Sequence, residues 1–589
     1  MKIKKGVQML VIGTLVLVLT ACGNGEGKKT ESVTITETIE GTEVVSEASK
    51  QESDEKDTTD ESASVVEEGE VAKNEDAETT ENEEKEALTG RERLVYTLSD
   101  EEIEAFDDQL AVCRKKMEQS ESYEVVEAEI EKLYEQAMDI QEQITIAEIL
   151  YYCHMDDRKA MLNHLQGTEI MSELILKYND LLLEIYEGDE EEYKQFFDDW
   201  SEADMKLLTG QTPEYMRLEV ANAELLTEFY ALGESELVEK VGALYSEFVQ
   251  NGNLIGAEYG YDNYYDYATD MVYRRDYGEA ERKRYRAYVK QYIVPLYNVV
   301  ALQYEKRFYD LSLSEGDKLM DLLFEKEADL STDYLESYFA ALPGRVQEGM
   351  RHMFERENYI MTDAEDAYAG AFTADLEEPF CYFGPDSQDL FVIVHELGHY
   401  YADLYTEEQE THFDLAETQS QGNEMLCLSF LEEQLPEKVY EALIYYELYN
   451  FMNVILQATI LDEFEETVYK LEDVSGYQTT DYDRLMYEIA VSYAVDDPYD
   501  IIPEGMSWLW QNVGMESPVY YLSYAVSATA ALNLYSDSTR DFETAVESYR
   551  VLLEEVDEDA GFCNMLEKSG LTGIFEEETY IKLLGVLPK

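Results

Sequence analysis

A mostly α fold is predicted for this chain, on three observations. Proline is scarce, at 10 of 589 residues, and Leu, Glu, Ala and Tyr (48 tyrosines) are abundant, a balance that favours helix over a turn-rich β fold. From about Glu92 onward apolar residues recur at three- and four-residue spacing, as in AFDDQLAVCRKKMEQ, SELILKYNDLLLEIYEG and YNFMNVILQATILDEFEETVYKLED. Punctuation is sparse and local: Gly210, Gly233, Pro343-Gly344, Gly384-Pro385 and Pro503-Glu504-Gly505.

The chain opens with MKIKKGVQMLVIGTLVLVLTAC. Lys2, Lys4 and Lys5 precede an apolar run from Val7 to Leu19 that is too short for a comfortable membrane span and reads as a signal segment, residues 1–22. It closes on Leu19-Thr20-Ala21-Cys22, which resembles a bacterial lipobox. That resemblance implies a lipidated Cys22 as the mature N-terminus, anchoring the protein on the extracellular face of a membrane.

Residues 23–90 hold 22 acidic and 6 basic residues, with no aromatic, proline or further cysteine. Such a segment cannot bury enough apolar surface to offset chain entropy, so a disordered acidic tether is expected. As a neutral coil, 68 residues would span roughly 45 Å, and self-repulsion should extend them further. The remainder divides into an N-terminal helical region, 91–220, and a candidate catalytic region, 221–589.

The charge balance is lopsided, with 130 acidic against 44 basic residues and a formal net charge of -86. A polyphosphate partner would be repelled by that field, so no nucleic-acid binding is expected. Apart from Cys22, the cysteines are odd in number and scattered (Cys113, Cys153, Cys381, Cys427, Cys563), with no CxxC pair. Neither a disulfide framework nor a cysteine-based metal site follows from that spacing.

One stretch reads as a strand: Glu378-Pro379-Phe380-Cys381-Tyr382-Phe383-Gly384, closed by a Gly-Pro turn. A helix follows, with Asp386 or Ser387 as candidate N-caps, and carries His395-Glu396-Leu397-Gly398-His399 beside an apolar seam of Leu390, Val394, Leu397, Tyr401 and Leu404. His395 and His399 stand one turn apart on one face. Two imidazoles at that spacing can share a zinc ion, with Glu396 placed as a general base. Gly398 leaves room for another element to approach closely.

A third ligand ten residues after His395 is ruled out, because position 405 is Tyr405 and Ala402 stands where a glycine would belong. The other solution is a carboxylate from a second helix. DLAETQSQGNEML, from Asp414, places Glu417 and Glu424 seven apart on one face. Two carboxylates turned inward call for a partner cation.

Together these motifs resemble the thimet oligopeptidase and oligoendopeptidase F group of zinc peptidases. The likeness runs over roughly residues 220–589: GYDNYYDYA at Gly260–Ala268, Gly370-Ala371-Phe372 with Pro379–Gly384, the HELGH helix, DLAETQSQGNE, YYLSYAVSATAAL from Tyr520, and a closing LLEE…LEKSGL. The resemblance implies a two-lobed helical peptidase fold around a deep channel, with a small sheet beside the zinc helix. It implies one zinc per chain on His395, His399 and Glu417, with Glu424 downstream. Phe380, Cys381 and Tyr382 would form an edge strand that pairs with substrate backbone. Tyr524, then Tyr521, would donate to the oxyanion, with Tyr520 a weaker candidate.

The chain departs from that family in two respects: the loop between His399 and Glu417 is short for it, and no histidine follows His412, where relatives carry one before the tyrosines. The matching stretch, 505–518, offers Asn512 and Ser517 instead. An extracellular endopeptidase for oligopeptides is the function expected. The alternatives are a dipeptidyl carboxypeptidase, for which no C-terminal clamp can be placed, and a degenerate peptidase kept as a peptide-binding lipoprotein.

Overall fold

The computed structural model describes residues 89–587, apart from 199, 233, 325–332, 406–411, 494–514, 516 and 557–560. The signal segment, Cys22, the acidic stretch through residue 88 and Asn512 lie outside the described residues. Thr89–Lys589 cluster as one compact unit; a second unit, Gly27–Leu88, is not described. None of the described helices is long and apolar enough to cross a membrane.

Three long helices open the body: Asp100–Glu118, Tyr123–Cys153 and Arg158–Glu187. Their ends follow local chemistry. Ser99 accepts from Glu102 N while Glu102 answers on Ser99 N, and Asp157 accepts from Lys159 N and Ala160 N. The junction expected at residue 220 lies inside helix Pro213–Ala231. Thr89 and Gly90, counted with the tether, belong to the body, since Gly90 N donates to Arg356 O at 2.8 Å.

A single three-stranded sheet forms among the described residues, from β1 (Tyr359–Met361), β2 (Ala371–Ala374) and β3 (Phe380–Phe383), in the order β1-β3-β2. β3 pairs parallel with β1 and antiparallel with β2. This corrects the expectation that Phe380, Cys381 and Tyr382 form a substrate-pairing edge, because both edges of β3 are occupied. The reason is burial on both faces. Phe380 and Tyr382 pack into a cluster with Ile149, Tyr152 and Tyr368, while Cys381 and Phe383 face the main core, all four fully buried. A run of large apolar residues without alternation suits a strand covered on both sides. The N-terminal region thereby gains a role: the helix ending at Cys153 backs the sheet, with Tyr382 Oη 2.8 Å from Tyr152 O.

Candidate metal centre

The HELGH helix spans Leu390–Tyr405. It starts later than Asp386 or Ser387, because Pro385 and Asp386 turn the chain after β3. Asp389 caps it instead, accepting from Phe391 N and Val392 N at 3.0 and 3.2 Å. Leu390, Val394, Leu397 and Tyr401 are buried as the seam requires; Leu404 is half-buried. His395 and His399 are half-buried on the adjoining face, their ring centroids 5.0 Å apart.

The second helix, Phe413–Phe430, is buried along nearly its whole length. Gly398 is where it touches the first. A Cβ at Gly398 would lie 2.6 Å from Ser420 Cα and 2.8 Å from Gln419 O, so the two backbones meet there and only glycine fits. Asn423 locks the contact, donating to Val394 O at 2.7 Å while accepting from Tyr338 at the same distance. Glu417 lies less than one turn before Ser420 on this helix, opposite the histidines.

His395, His399 and Glu417 thus converge, with one ligand atom from each lying within 4.8 Å of the others. His395 Nδ1 lies 2.7 Å from Glu424 Oε1. A carboxylate can only accept, so Nδ1 carries the proton and Nε2 faces Glu417 Oε2 at 3.9 Å. Glu417 Oε2 is buried with no hydrogen-bond partner, while Tyr520 Oη donates to Oε1 at 2.9 Å. An orphaned carboxylate oxygen facing an oriented imidazole nitrogen is a donor set awaiting a cation, and two nitrogens with one oxygen suit zinc. The residues fit the metal.

The electrostatics agree. Burial would lower the pKa of His395, but the hydrogen bond and charge of Glu424, with Glu396 and Glu417, push it up to about 9. Burial and the His395 charge push His399 down to about 3, leaving a neutral imidazole. Burial raises Glu396 to about 7, against the His395 charge and a hydrogen bond from Thr373. Glu417 is raised too, chiefly by burial. Shifts of this size gathered in one place mark a candidate functional site.

Two contributors, Thr373 and Arg275, escape sequence reasoning, and Tyr520 takes a contact that it did not assign. Thr373 on β2, paired in register with Cys381, donates to Glu396 Oε2 at 2.8 Å and so orients the candidate base. β2 is therefore the sheet edge tied to the motif helix. Tyr520 reaches Glu417, and Arg275 holds the turn that presents Tyr520. Nothing local marks Thr373 or Arg275 in the sequence.

Tyr520 and Tyr521 precede the helix Leu522–Ser538 instead of riding on it, and Tyr524 sits in its first turn. The three rings pack on one another at 5.2–6.3 Å. Burial, and then the charge of Glu417, hold the Tyr524 phenol well above its ordinary pKa. Ser517 lies in the turn before the tyrosines, its carbonyl accepting from Tyr520 N at 3.2 Å.

No family model and no curated protein matches this sequence. Solved structures do. PZ peptidase A with an inhibitor is 17% identical with a TM-score of 0.64, covering 84% of this chain and 97% of that one. A structure described as oligoendopeptidase F, from crystals grown by microfluidic seeding, is 17% identical with a TM-score of 0.64 and coverages of 85% and 98%. Another so described, from Bacillus anthracis str. Ames, is 16% identical with a TM-score of 0.64 and coverages of 85% and 97%. Identity at this level carries the backbone arrangement and not the chemistry. This chain has the mostly helical fold, with a small sheet beside the HELGH helix, of the oligoendopeptidase F structures.

Proposed function

We propose that this protein is a zinc-dependent endopeptidase that cleaves oligopeptides outside the cell, held at a bacterial membrane through lipidated Cys22. The observation that carries the reading is the orphaned, buried Oε2 of Glu417 facing His395 Nε2, with His399 alongside. His395, His399 and Glu417 would hold one zinc ion. Bound there, zinc supplies Lewis acidity toward a scissile carbonyl and a lowered pKa for its water, toward roughly 7.

The chain's own groups do the rest. Glu396, held by Thr373, accepts the proton of the attacking water and passes it to the leaving amine. Glu424 fixes the His395 tautomer and ring orientation. Tyr524, its ring 5.3 Å from that of Tyr521, would donate to the developing oxyanion. The peptidase titles of the solved structures that share this fold agree with a peptide substrate.

The test is product analysis with a library of peptides blocked at both ends. Internal cleavage by the wild type, lost in Glu396→Gln, supports the endopeptidase. Cleavage only of peptides with a free C-terminus, two residues at a time, would instead select the dipeptidyl carboxypeptidase. Binding of peptides with no turnover would select the binding lipoprotein.

A further inference from the structure

Tyr520 is the weakest of the three tyrosine candidates by sequence, yet it touches the zinc-ligand set directly. We propose that Tyr520 is a positioning residue for the third ligand: its hydroxyl fixes Glu417 as a one-oxygen ligand, and Arg275 with Glu465 hold the strained turn that aims it. This rests on the zinc reading above.

A carboxylate has two equivalent oxygens and can offer either or both to a metal. Here they are made unequal. Tyr520 Oη donates to Oε1 at 2.9 Å, and Oε2 is buried, partnerless and turned toward His395 Nε2. A phenol has one proton, and a charged acceptor holds it more strongly than a neutral carbonyl. With that proton on Glu417, Tyr520 has none to offer a substrate oxygen. Tyr524, packed on the Tyr520 ring at 5.2 Å, is the neighbouring phenol that would serve a substrate oxygen. The two neighbouring tyrosines thus divide two tasks.

The backbone before Tyr520 is built for this aim. Val519 has φ +68°, in the left-handed region that a β-branched residue rarely enters. Its two peptide groups are both clamped. Val519 N donates to Glu465 Oε1 at 2.9 Å, and Arg275 Nη2 donates to Val519 O at 3.0 Å. Arg275, whose side chain is wholly buried, also reaches Tyr520 O at 3.3 Å and Ser523 Oγ at 3.1 Å. Tyr273 Oη donates to Pro518 O at 2.8 Å. Strain that is held from several sides, one residue before a contact to the ligand set, is the pattern expected where geometry serves function. The Tyr520 ring is meanwhile packed by Tyr273 and Phe413, so its hydroxyl can be removed without emptying the site.

The test is Tyr520→Phe in the full chain, with four readouts: zinc affinity by chelator competition, the visible spectrum of the cobalt-substituted protein, kcat at saturating zinc, and apo melting temperature. Zinc affinity should fall about 10- to 100-fold, as for other partners that orient metal ligands. The cobalt bands should shift as Glu417 binds through both oxygens, with the apo melting temperature unchanged. Unchanged zinc affinity and cobalt bands would overturn the proposal, whatever happens to kcat. A kcat loss of about 10² to 10³ in that setting would make Tyr520 an oxyanion donor instead. Weaker zinc binding matched by an equal loss of apo stability would also overturn it, since packing would explain both. Wild type that binds zinc no better than His395→Ala would overturn the zinc reading and this proposal together.

Discussion

Replacing Gly398 by alanine should cost metal affinity although Gly398 offers no ligand. The added Cβ would sit 2.6 Å from Ser420 Cα, 2.8 Å from Gln419 O and 3.0 Å from Ser420 N. Carbon atoms settle at about 3.5–4.0 Å, so the two helices must part by roughly 1 Å at this point. Backbone atoms cannot swing aside as a side-chain tip can, so the separation carries Glu417 with it. Donors at about 2.0–2.1 Å from a tetrahedral zinc stand roughly 3.3 Å apart. His395 Nε2 and Glu417 Oε2 are 3.9 Å apart and need to close only slightly; after the substitution they must close against the new contact. Overpacking of this kind costs about 1–3 kcal/mol of stability. Zinc affinity should fall about 10- to 100-fold, the range seen when ligand support is disturbed. Gly422→Ala on the second helix is the milder comparison, since its Cβ would first meet side-chain carbons of Tyr549 and Leu534, at 3.2–3.4 Å, and not backbone. Chelator competition and urea titration read both quantities. Wild-type zinc affinity and stability in Gly398→Ala would refute the view that this backbone contact sets the site.

Other consequences follow from the same geometry. Glu396→Gln should keep zinc and fold while kcat/KM falls by at least about 10² to 10⁴; wild-type turnover in a zinc-loaded sample would remove Glu396 from the mechanism. Zinc affinity should rise with pH between about 7 and 9 and then flatten, because the proton that Glu424 helps His395 retain, up to about 9, competes with the metal below that value. Glu424→Gln should move the plateau to lower pH, and a pH-independent affinity would show that His395 loses no proton on binding. Tyr524→Phe should lower kcat by about 10² to 10³ with little change in KM, and Tyr521→Phe should do less. If both turn over like wild type, these rings serve packing alone.

What the sequence revealed was set by how local each feature is. The helical body, His395-Glu396-Leu397-Gly398-His399 and the Glu417/Glu424 pair are periodic within single helices, so spacing alone displays them. Even the space reserved at Gly398 was legible, although not that Ser420 fills it. The strand at Phe380–Phe383 was visible as a strand, but its central place depends on β1 and β2, which are short and lie up to 22 residues away by the register Tyr359 to Cys381. The uniform apolar run was the available hint that both its faces are covered. Thr373, Arg275 and Tyr520 act across the fold, 23, 245 and 103 residues from the partners they hold, and no spacing rule reaches that far. The cap at Asp389 was missed for a local reason: Pro385 and Asp386 were already committed to the turn after β3.

The most direct test of the account is the metal content of the purified protein beside that of His395→Ala, His399→Ala and Glu417→Ala. One zinc per chain in the wild type is expected, lost in all three variants, with peptide cleavage that a chelator removes and added zinc restores. A wild type without zinc, or Glu417→Ala with full zinc affinity and activity, would contradict it.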